Sequence, residues 1–505
     1  MSLDASCPTG HRARPGHRCG AHMLAIRRAL ALVVSTAPLL GCMSLRPQPD
    51  AEAAVPVPPH WQAADAAGAA AATPTDLAAW WQRFGDPDLS RWTQLAQQGS
   101  PRVAAADAAW RQALAQRDAA AAARGPTLAA NASAGGDASG VGDARRSEQR
   151  LQFGLDGRWV PDVFGAAGSA LAAADAAEQA RRASLGDVQV QLAGDAALAY
   201  IGLRTQQVRL ALARDTLASQ QQTLQITDWR LQAGLVSRLQ LDQARTAVAQ
   251  TEALLPALQT AIAQSLHALA LLAGRPYFAV DAEVDTAATV PAVPEAAAGL
   301  ALDIPANTLR QRADVRAAER EVAAALSRVG QAEAQRWPSF ALGGSIGLNA
   351  LTLGALGNSA SLVSSLLASV SLPLFDGGAR RAQLRSQQAA LDQARALHRS
   401  AVLVALKEVE DALVALQGDR LRLASLGTAA VAAASADALA RQRFASGLVD
   451  FQTVLETQRT AFGAQDAVVS ARSELARNHV QLYRSLGGGW REAPVQAARA
   501  STPTP

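Results

Sequence analysis

The strongest constraint on the fold is an internal repeat. The segment 230–236, Arg-Leu-Gln-Ala-Gly-Leu-Val, resembles 443–449, Arg-Phe-Ala-Ser-Gly-Leu-Val, and Gly274, at the end of a later apolar run, matches Gly487. Both matches are separated by 213 positions. The length of 505 residues alone suggests about three or four domains. The repeat instead indicates one structural plan used twice in tandem.

Each half of the repeat predicts one very long helix. From about residue 166 to 231, and again from 379 to 444, there is no proline, and apolar residues recur at helical spacing. About 65 residues at about 1.5 Å each make a rod of roughly 100 Å. Each rod ends near a glycine, Gly234 or Gly447, where a helix is expected to turn back. Alanine, the best helix former, supplies much of the hydrophobic content, and aromatic residues are only 4%.

Four other segments alternate apolar and polar residues with period two, which predicts β-strands. They lie near 127–135, 151–160, 338–348 and 366–375 and form two hairpins with Gly-, Ser- and Ala-rich connections. A strand of about 9–11 residues with one apolar face is typical of transmembrane β-barrels. A single such segment is equally consistent with a soluble sheet. Because an open sheet edge cannot face lipid, four strands span a membrane only if several copies of the chain close one barrel.

The N-terminus has the pattern of an exported lipoprotein precursor. An apolar run at 29–40 follows basic residues and is too short for a membrane-spanning helix, but it has the length of a signal peptide. Leu-Leu-Gly-Cys at 39–42 resembles the lipobox of bacterial lipoproteins. We therefore expect residues 1–41 to be removed and Cys42 to be lipidated. The alternative is an ordinary export signal with an incidental cysteine.

Two further expectations concern the same end of the chain. Residues 1–22 are expected to be an upstream start-codon artefact. Residues 42–75 are rich in Pro and Ala, which predicts an extended tether without a core of its own. No cysteine follows Cys42, so the mature chain has no disulfide.

The net positive charge of the chain comes from residues 1–41, the predicted leader. The chain has 47 Lys and Arg against 43 Asp and Glu, a net charge of +4. Residues 1–41 hold five of the arginines and one of the aspartates, so the mature chain carries 42 charges of each sign. The balance removes the support for nucleic-acid binding.

We expect no enzymatic activity, no cofactor and no metal. A phosphate-loop motif is absent from the sequence. The four histidines after the leader are too far apart in sequence to suggest a ligand cluster: His60, His267, His398 and His479.

Five segments carry a resemblance to a known family. They are Trp-Trp-Gln-Arg-Phe-Gly-Asp-Pro-Asp-Leu at 80–89, Gln-Arg-Ala-Asp-Val-Arg-Ala-Ala-Glu at 311–319, Leu-Pro-Leu-Phe-Asp-Gly-Gly at 372–378, Glu-Val-Glu-Asp-Ala-Leu at 408–413 and Leu-Gly-Gly-Gly-Trp at 486–490. In order and spacing they make the chain similar to the TolC family of outer-membrane efflux proteins, in the lipoprotein branch that serves resistance-nodulation-division pumps. One departure is Ala313, where the family usually has proline. Proline there would only pre-set the first turn of a helix, so we expect little consequence.

The resemblance implies a mainly α fold with transmembrane β. A long α-helical barrel would continue into a twelve-stranded β-barrel, to which each chain of a homotrimer gives four strands. The protein would be lipid-anchored in the outer membrane and extend into the periplasm. Its partners would be a periplasmic adaptor, an inner-membrane resistance-nodulation-division pump and outer-membrane lipid.

The implied function is that of the exit duct of a tripartite efflux system, which conducts substrates passively. Antibiotics, metal ions, solvents and dyes are all possible substrates. A lipidated periplasmic helical adaptor or scaffold is the alternative, and the four amphipathic strands argue against it.

The resemblance also divides the mature chain. We expect a first efflux repeat at 76–280, with its helical hairpin turning near 234, and an equatorial linker at 281–311. A second repeat at 312–490 would turn near 447. Residues 491–505 would form a disordered tail.

The same family places its functional residues at the periplasmic tip, where paired helices turn. Six tip residues are expected to contact the adaptor: Gly234, Leu235, Val236, Gly447, Leu448 and Val449.

The gate candidates lie just beyond these turns. They are Asp242, Glu456, Arg238, Asp450, Gln240 and Thr453. Rings of carboxylates constrict pores; Glu456 matches a gate acid of the family, and Asp242 lies near the equivalent point of the first repeat. Thr453 takes the place of an acid found in some relatives, so we expect fewer carboxylates here. Arg238 and Asp450 are the remaining charged residues of the tip and could pair across helices; the alternative for each is a solvated turn charge.

Overall fold

The architecture consists of long helices that end in a small sheet. The computed structural model describes residues 56–63, 77–139, 146–279, 292–297, 305–352 and 362–491. In these ranges the helices and strands, in chain order, are α1 Pro87–Gly99, α2 Pro101–Ala122, β1 Thr127–Ser139, β2 Arg146–Trp159, α3 Ala166–Gln232, α4 Arg238–Leu272, α5 Pro305–Gln311, α6 Ala313–Ala334, β3 Ser339–Ala350, β4 Leu362–Ser371, α7 Ala379–Ala445 and α8 Phe451–Ser485. Short 3₁₀ turns lie at Trp80–Phe84 and Tyr277–Ala279.

The tandem duplication is confirmed element by element. Helices α2 and α6 both have 22 residues, and their first residues are 212 positions apart. Helices α3 and α7 both have 67 residues and α4 and α8 both have 35, with starts that are 213 positions apart. The second half therefore contains one extra residue between α6 and α7.

The four strands form one antiparallel sheet in the order β1-β2-β3-β4. Its register places the predicted apolar positions on one face, where Phe153 lies between Ala132 on β1 and Leu348 on β3. On the opposite face Ser133 donates to Gln152 at 3.3 Å, and the hydroxyls of Ser345 and Ser365 are 2.8 Å apart. The sheet thus has one apolar face and one polar face.

The last strand is displaced from its predicted position at 366–375. It spans Leu362–Ser371, so Leu372 and Leu374 lie beyond its end. Pro373 explains the early end, because proline has no N–H for the ladder and breaks the pairing. The alternation of apolar residues continues through this proline, so alternation alone places the end of the strand too late. The start of β4 is also four residues earlier than predicted, and β2 begins at Arg146, five residues before its predicted start.

Part of the predicted tether is packed on the body. Trp61 is only 4% exposed and lies among Val409, Leu413 and Leu416 of α7. The Glu410 carboxylate accepts the backbone N–H groups of residues 62 and 63. The tether expected at 42–75 is therefore anchored at this point, since one large aromatic side chain finds a pocket on a neighbouring helix. Residues 1–41 and Cys42 lie outside the described residues.

The other predicted boundaries are only partly described. The linker expected at 281–311 contains α5, and of the tail expected at 491–505 only Arg491 is described. Helix α6 begins at Ala313 without a proline, as expected.

Six aromatic residues form one buried cluster, which we call the equatorial cluster. It contains Trp80, Trp81, Phe84, Trp92, Tyr200 and Tyr483. The rings of Trp80 and Tyr483 are stacked with centroids 5.2 Å apart. Because each such ring buries about 150–250 Å², this cluster fixes α3 and α8 to the segment before α1.

Two described helices are long and apolar enough to cross a membrane, α4 and α7. Only 17% and 6% of their most apolar windows are buried within one chain. Along α7 many large apolar side chains are exposed, including Leu397, Val414, Leu421, Val431 and Leu439. One chain therefore leaves uncovered apolar surface on a helix that is packed on another side.

Candidate functional site

The two helical hairpins end in turns of the same geometry. Gly234 and Gly447 have φ of 72° and 75°, a left-handed conformation that glycine adopts without strain. In each turn the N–H after the glycine donates to a carbonyl five residues back, Leu235 to Arg230 at 2.8 Å and Leu448 to Arg443 at 2.9 Å. This is the hydrogen bond of a glycine-ended helix.

The residues expected to contact an adaptor form the outer surface of these turns. Leu235 and Leu448 are each 74% exposed, whereas Val236 and Val449 are half-buried. The two turns thus present an exposed leucine in equivalent positions, and the first hairpin adds Leu239, which is 66% exposed. An exposed leucine at the end of a rod is a suitable contact for an apolar partner surface.

Several gate candidates serve as caps of their own helices. Asp450 accepts the Thr453 N–H at 2.9 Å and also the Thr453 hydroxyl. The same two hydrogen bonds, that of the hydroxyl first, lower the pKa of Asp450. At the other turn, Gln240 accepts the Ser237 N–H at 3.1 Å, and Ser237 completes a capping box.

Within the described chain Arg238 and Asp450 do not pair with each other across helices. Arg238 instead lies 3.2 Å from Asp242, one turn along the same helix, and Asp450 is engaged by Thr453. Local partners win because groups at positions i and i+3 or i+4 meet on the helix surface. Glu456 is exposed and makes no ion pair in the part of the chain that the structure describes.

A contact between the two hairpins was not predicted from the sequence. Arg230, in the last turn of α3, donates to the carbonyl oxygens of Phe444 at 2.5 Å and Ala445 at 3.1 Å. Phe444 is buried and its ring centre is 5.9 Å from that of Phe451. A cation at the carbonyl end of α7 also interacts favourably with the helix dipole. Arg230 thus joins the tip of the first hairpin to that of the second.

Above this contact the two hairpins meet through polar groups. Gln458 donates to Thr223 at 3.2 Å, and both are buried. Higher up, Arg209 lies 2.8 Å from Asp466. Thr205 donates to Ser473 at 2.9 Å. Water can replace hydrogen bonds of this kind at a small net cost, so this part of the contact between α3 and α8 can separate more easily than their apolar contact at the equatorial cluster.

Four of the five segments that carried the family resemblance meet around the equatorial cluster, far along the chain from the tip, whereas 372–378 joins β4 to α7. Arg312 lies 2.7 Å from Asp314 and 2.8 Å from Glu408, and it donates to the Ser485 carbonyl at 2.8 Å. Burial lowers the pKa of Arg312, but the two carboxylates outweigh it and raise the value overall. Asp187 and Arg312 line one small cavity. Burial in this cavity raises the pKa of Asp187.

The glycines of the last motif are required by close packing. A Cβ atom on Gly488 would lie 2.9 Å from Cδ1 of Trp80 and 3.0 Å from the carbonyl oxygen of Leu77. The Gly489 N–H donates to the Leu77 carbonyl at 2.9 Å. Four of the five motifs therefore build the junction of the two halves, whereas the tip is built from common residues.

Two features bear on other kinds of chemistry. The segment 343–347, Gly-Gly-Ser-Ile-Gly, matches the letters of a hydrolase nucleophile motif, but Ser345 lies within β3 and not at a strand-to-helix turn. Among the described residues there is no group of three or more His, Cys, Asp or Glu side chains that could hold a metal ion.

Comparison with known proteins gives one consistent result. The family model "Outer membrane efflux protein" matches residues 92–275 and 304–488. The solvent efflux pump outer membrane protein SrpC of Pseudomonas putida is 33% identical over 70% of this chain and 74% of its own length. Nodulation protein T of Rhizobium leguminosarum bv. viciae is 30% identical over 84% of this chain and 87% of its own.

A solved structure shows the same architecture. The outer-membrane channel OprN superposes with a TM-score of 0.81 at 32% identity and covers 88% of this chain and 99% of its own. The mainly α fold with a small antiparallel sheet is therefore that of an outer-membrane channel. With both repeats matched, the chain belongs to the outer membrane efflux protein family.

Proposed function

We propose that three copies of this chain close one continuous duct, which lets substrates leave the periplasm through the outer membrane. The observation that carries the proposal is the sheet, which has one apolar face, one polar face and an open edge at each of β1 and β4. Three such sheets give the twelve strands of a closed barrel. Closure removes the unpaired edges that lipid does not tolerate.

The helices support the same arrangement below the membrane. The apolar side chains along α7 that one chain leaves exposed would face the neighbouring copies of a helical barrel. A duct of this kind carries no reaction of its own, so transport is passive and selection belongs to the pump. The names of the relatives mention solvent efflux and nodulation, and we assign neither substrate to this chain.

The partners of the duct follow from the same family. An inner-membrane pump of the resistance-nodulation-division class and a periplasmic adaptor would deliver the substrate. Leu235 and Leu448, exposed at equivalent turns, are the surfaces we assign to the adaptor. Lipid on Cys42 would add an anchor in the inner leaflet of the outer membrane.

Closure of the duct is assigned to the tip. Asp242 and Glu456 are exposed one to two turns inside the helical ends, so each contributes a ring of three carboxylates in a trimer. Asp450, Gln240 and Thr453 hold the turns in shape through their caps. Arg238 lies 3.2 Å from Asp242 and partly neutralises its charge. The ring of Glu456 carboxylates therefore carries more net negative charge than the ring of Asp242 carboxylates.

The proposal is tested by the conductance of the purified protein in planar lipid bilayers. The wild type should form channels of low conductance, and Asp242→Ala combined with Glu456→Ala should raise the current. Asp215→Ala combined with Glu252→Ala removes the same charge from exposed positions further from the tip and should leave the current unchanged. Equal currents for all three proteins contradict the gate, and the absence of any channel contradicts the duct.

A further inference from the structure

The registers of the sheet determine how the barrel closes between subunits. Within one chain, β2 pairs with β3, and this seam joins the first hairpin to the second. In a closed barrel the next seam must join β4 of one subunit to β1 of the partner subunit. Each of the two seams thus joins the second strand of one hairpin to the first strand of the next hairpin. The duplicated structure therefore contains a template of its own subunit interface.

The relation between the two seams follows from the positions of the repeated elements. Strands β1 and β3 begin 212 positions apart, as do the helices that precede them. The helices that follow β2 and β4 begin 213 positions apart. The registers Thr127 with Arg158 and Ser339 with Ser371 require the same offset of 213 between β2 and β4.

These offsets convert each pair of the inner seam into a pair of the outer one. Asp156 with Ser345 becomes Ser369 with Ser133, and Leu155 with Ile346 becomes Ala368 with Ala134. We propose that β4 pairs in this register with β1 of the neighbouring copy, so that Ser369 lies opposite Ser133 of the partner subunit. The inference rests on the proposed trimer and specifies its membrane seam.

The chemistry of the two edges supports the register. It keeps Ala368 and Ala134 of the partner subunit on the apolar face and the two serines on the polar face. A slip of one residue would exchange the faces. A slip of two residues would keep the faces but lose a fit of size. In the proposed register the large Leu366 and Leu367 lie opposite Gly136 and Gly135 of the partner subunit, which have no side chain.

The same register covers apolar side chains just beyond the end of β4. Leu374 follows Pro373, which ends the ladder, and is 90% exposed in one chain; the register brings it to the same end of the seam as Leu128 of the partner subunit, which is 74% exposed. In the inner seam the position that corresponds to Leu128 is Phe340, whose ring lies 6.4 Å from that of Phe164. Both seams thus place an apolar contact at the end of the sheet that lies next to the long helices.

The register is tested by disulfide formation in the full-length protein in outer-membrane vesicles. The in-register variants are Ser133→Cys with Ser369→Cys and Ala134→Cys with Ala368→Cys. The off-register variants are Asn131→Cys with Ser369→Cys and Ser133→Cys with Ser371→Cys. Leu155→Cys with Ile346→Cys, paired within one chain, shows that the oxidant reaches the sheet.

Oxidation with copper phenanthroline should link the in-register variants into covalent trimers that resist heating in detergent and disappear on reduction. A disulfide needs Cβ atoms about 3.5–4.5 Å apart, so off-register partners should link at least about tenfold less. The two in-register pairs lie on opposite faces. One of them therefore remains informative if the other variant does not fold.

Native gels of the unoxidised wild type distinguish a failure of the proposed trimer from a failure of the register. A wild type that is not trimeric overturns the proposed duct and the register with it. A trimeric protein whose off-register pair links more than the in-register pairs, or whose in-register pairs link no chains, overturns the register alone.

Discussion

Arg230 donates from Nη2 to the carbonyl oxygen of Phe444 at 2.5 Å, and its guanidinium carbon lies 4.3 Å from the centre of the Phe444 ring. The two residues are 214 positions apart and end the long helices of the two hairpins. The contact therefore ties together two rods of about 100 Å at the tip, where we propose that the duct closes.

Removing this contact should loosen the tip. A hydrogen bond from a charged group is worth about 1.5–3 kcal/mol, so Arg230→Ala should raise the open fraction of the duct about tenfold or more. Single-channel recordings of the purified protein measure this fraction. Arg443→Ala is the matched control, because Arg443 is the repeat counterpart and is exposed; an equal effect of both changes would assign the result to charge alone.

The caps of the two hairpins predict a difference in pH response. The Thr453 hydroxyl and N–H keep the pKa of Asp450 below its ordinary value of 3.8. The stabilisation is therefore complete above that value and is lost as the pH falls through the lowered pKa. Hydrogen exchange at the start of α8, corrected for intrinsic rates, should accelerate in acid, whereas α4, capped by Ser237 and Gln240, should not change.

A variant separates capping from other effects of acid. Asp450→Ser keeps an oxygen that accepts the Thr453 N–H but has no titratable group. Its exchange at the start of α8 should be independent of pH in the same range. Acceleration in this variant as large as in the wild type would mean that another group controls the turn.

The fold was largely predictable because most helices and strands follow from patterns among residues that are close together in the sequence. The absence of proline and the glycines at 234 and 447 predicted α3 and α7 to within one or two residues. Alternation predicted both faces of the sheet. It failed at the end of β4, where Pro373 ends the ladder although the apolar alternation continues through Leu374.

The contacts that join distant parts of the chain were not predictable in this way. Nothing local marks Arg230 as a partner of Phe444, and the pairing proposed for Arg238 and Asp450 ignored closer partners on their own helices. Trp61 in a Pro- and Ala-rich segment gave one signal, since a lone large aromatic residue there is costly to leave in water. Its pocket on α7 is visible only in the fold.

Side-chain packing predicts opposite effects for two glycine-to-alanine changes, one at the equatorial cluster and one inside α8. Gly488→Ala would place a Cβ atom 2.9 Å from Trp80 and 3.0 Å from the Leu77 carbonyl oxygen. Neither neighbour can move freely, because Trp80 is stacked on Tyr483. Overpacking of this kind costs about 1–3 kcal/mol, so the midpoint of thermal unfolding should fall.

Gly463→Ala is the matched change within the same repeat. Gly463 lies inside α8, and no atom lies within 4 Å of the position of its Cβ. Alanine is favoured over glycine in a helix by about 0.8–1 kcal/mol, so this variant should unfold at a higher temperature than the wild type. Circular dichroism during heating measures both, and destabilisation by Gly463→Ala as large as that by Gly488→Ala would contradict the packing argument, since only one of the two sites is filled.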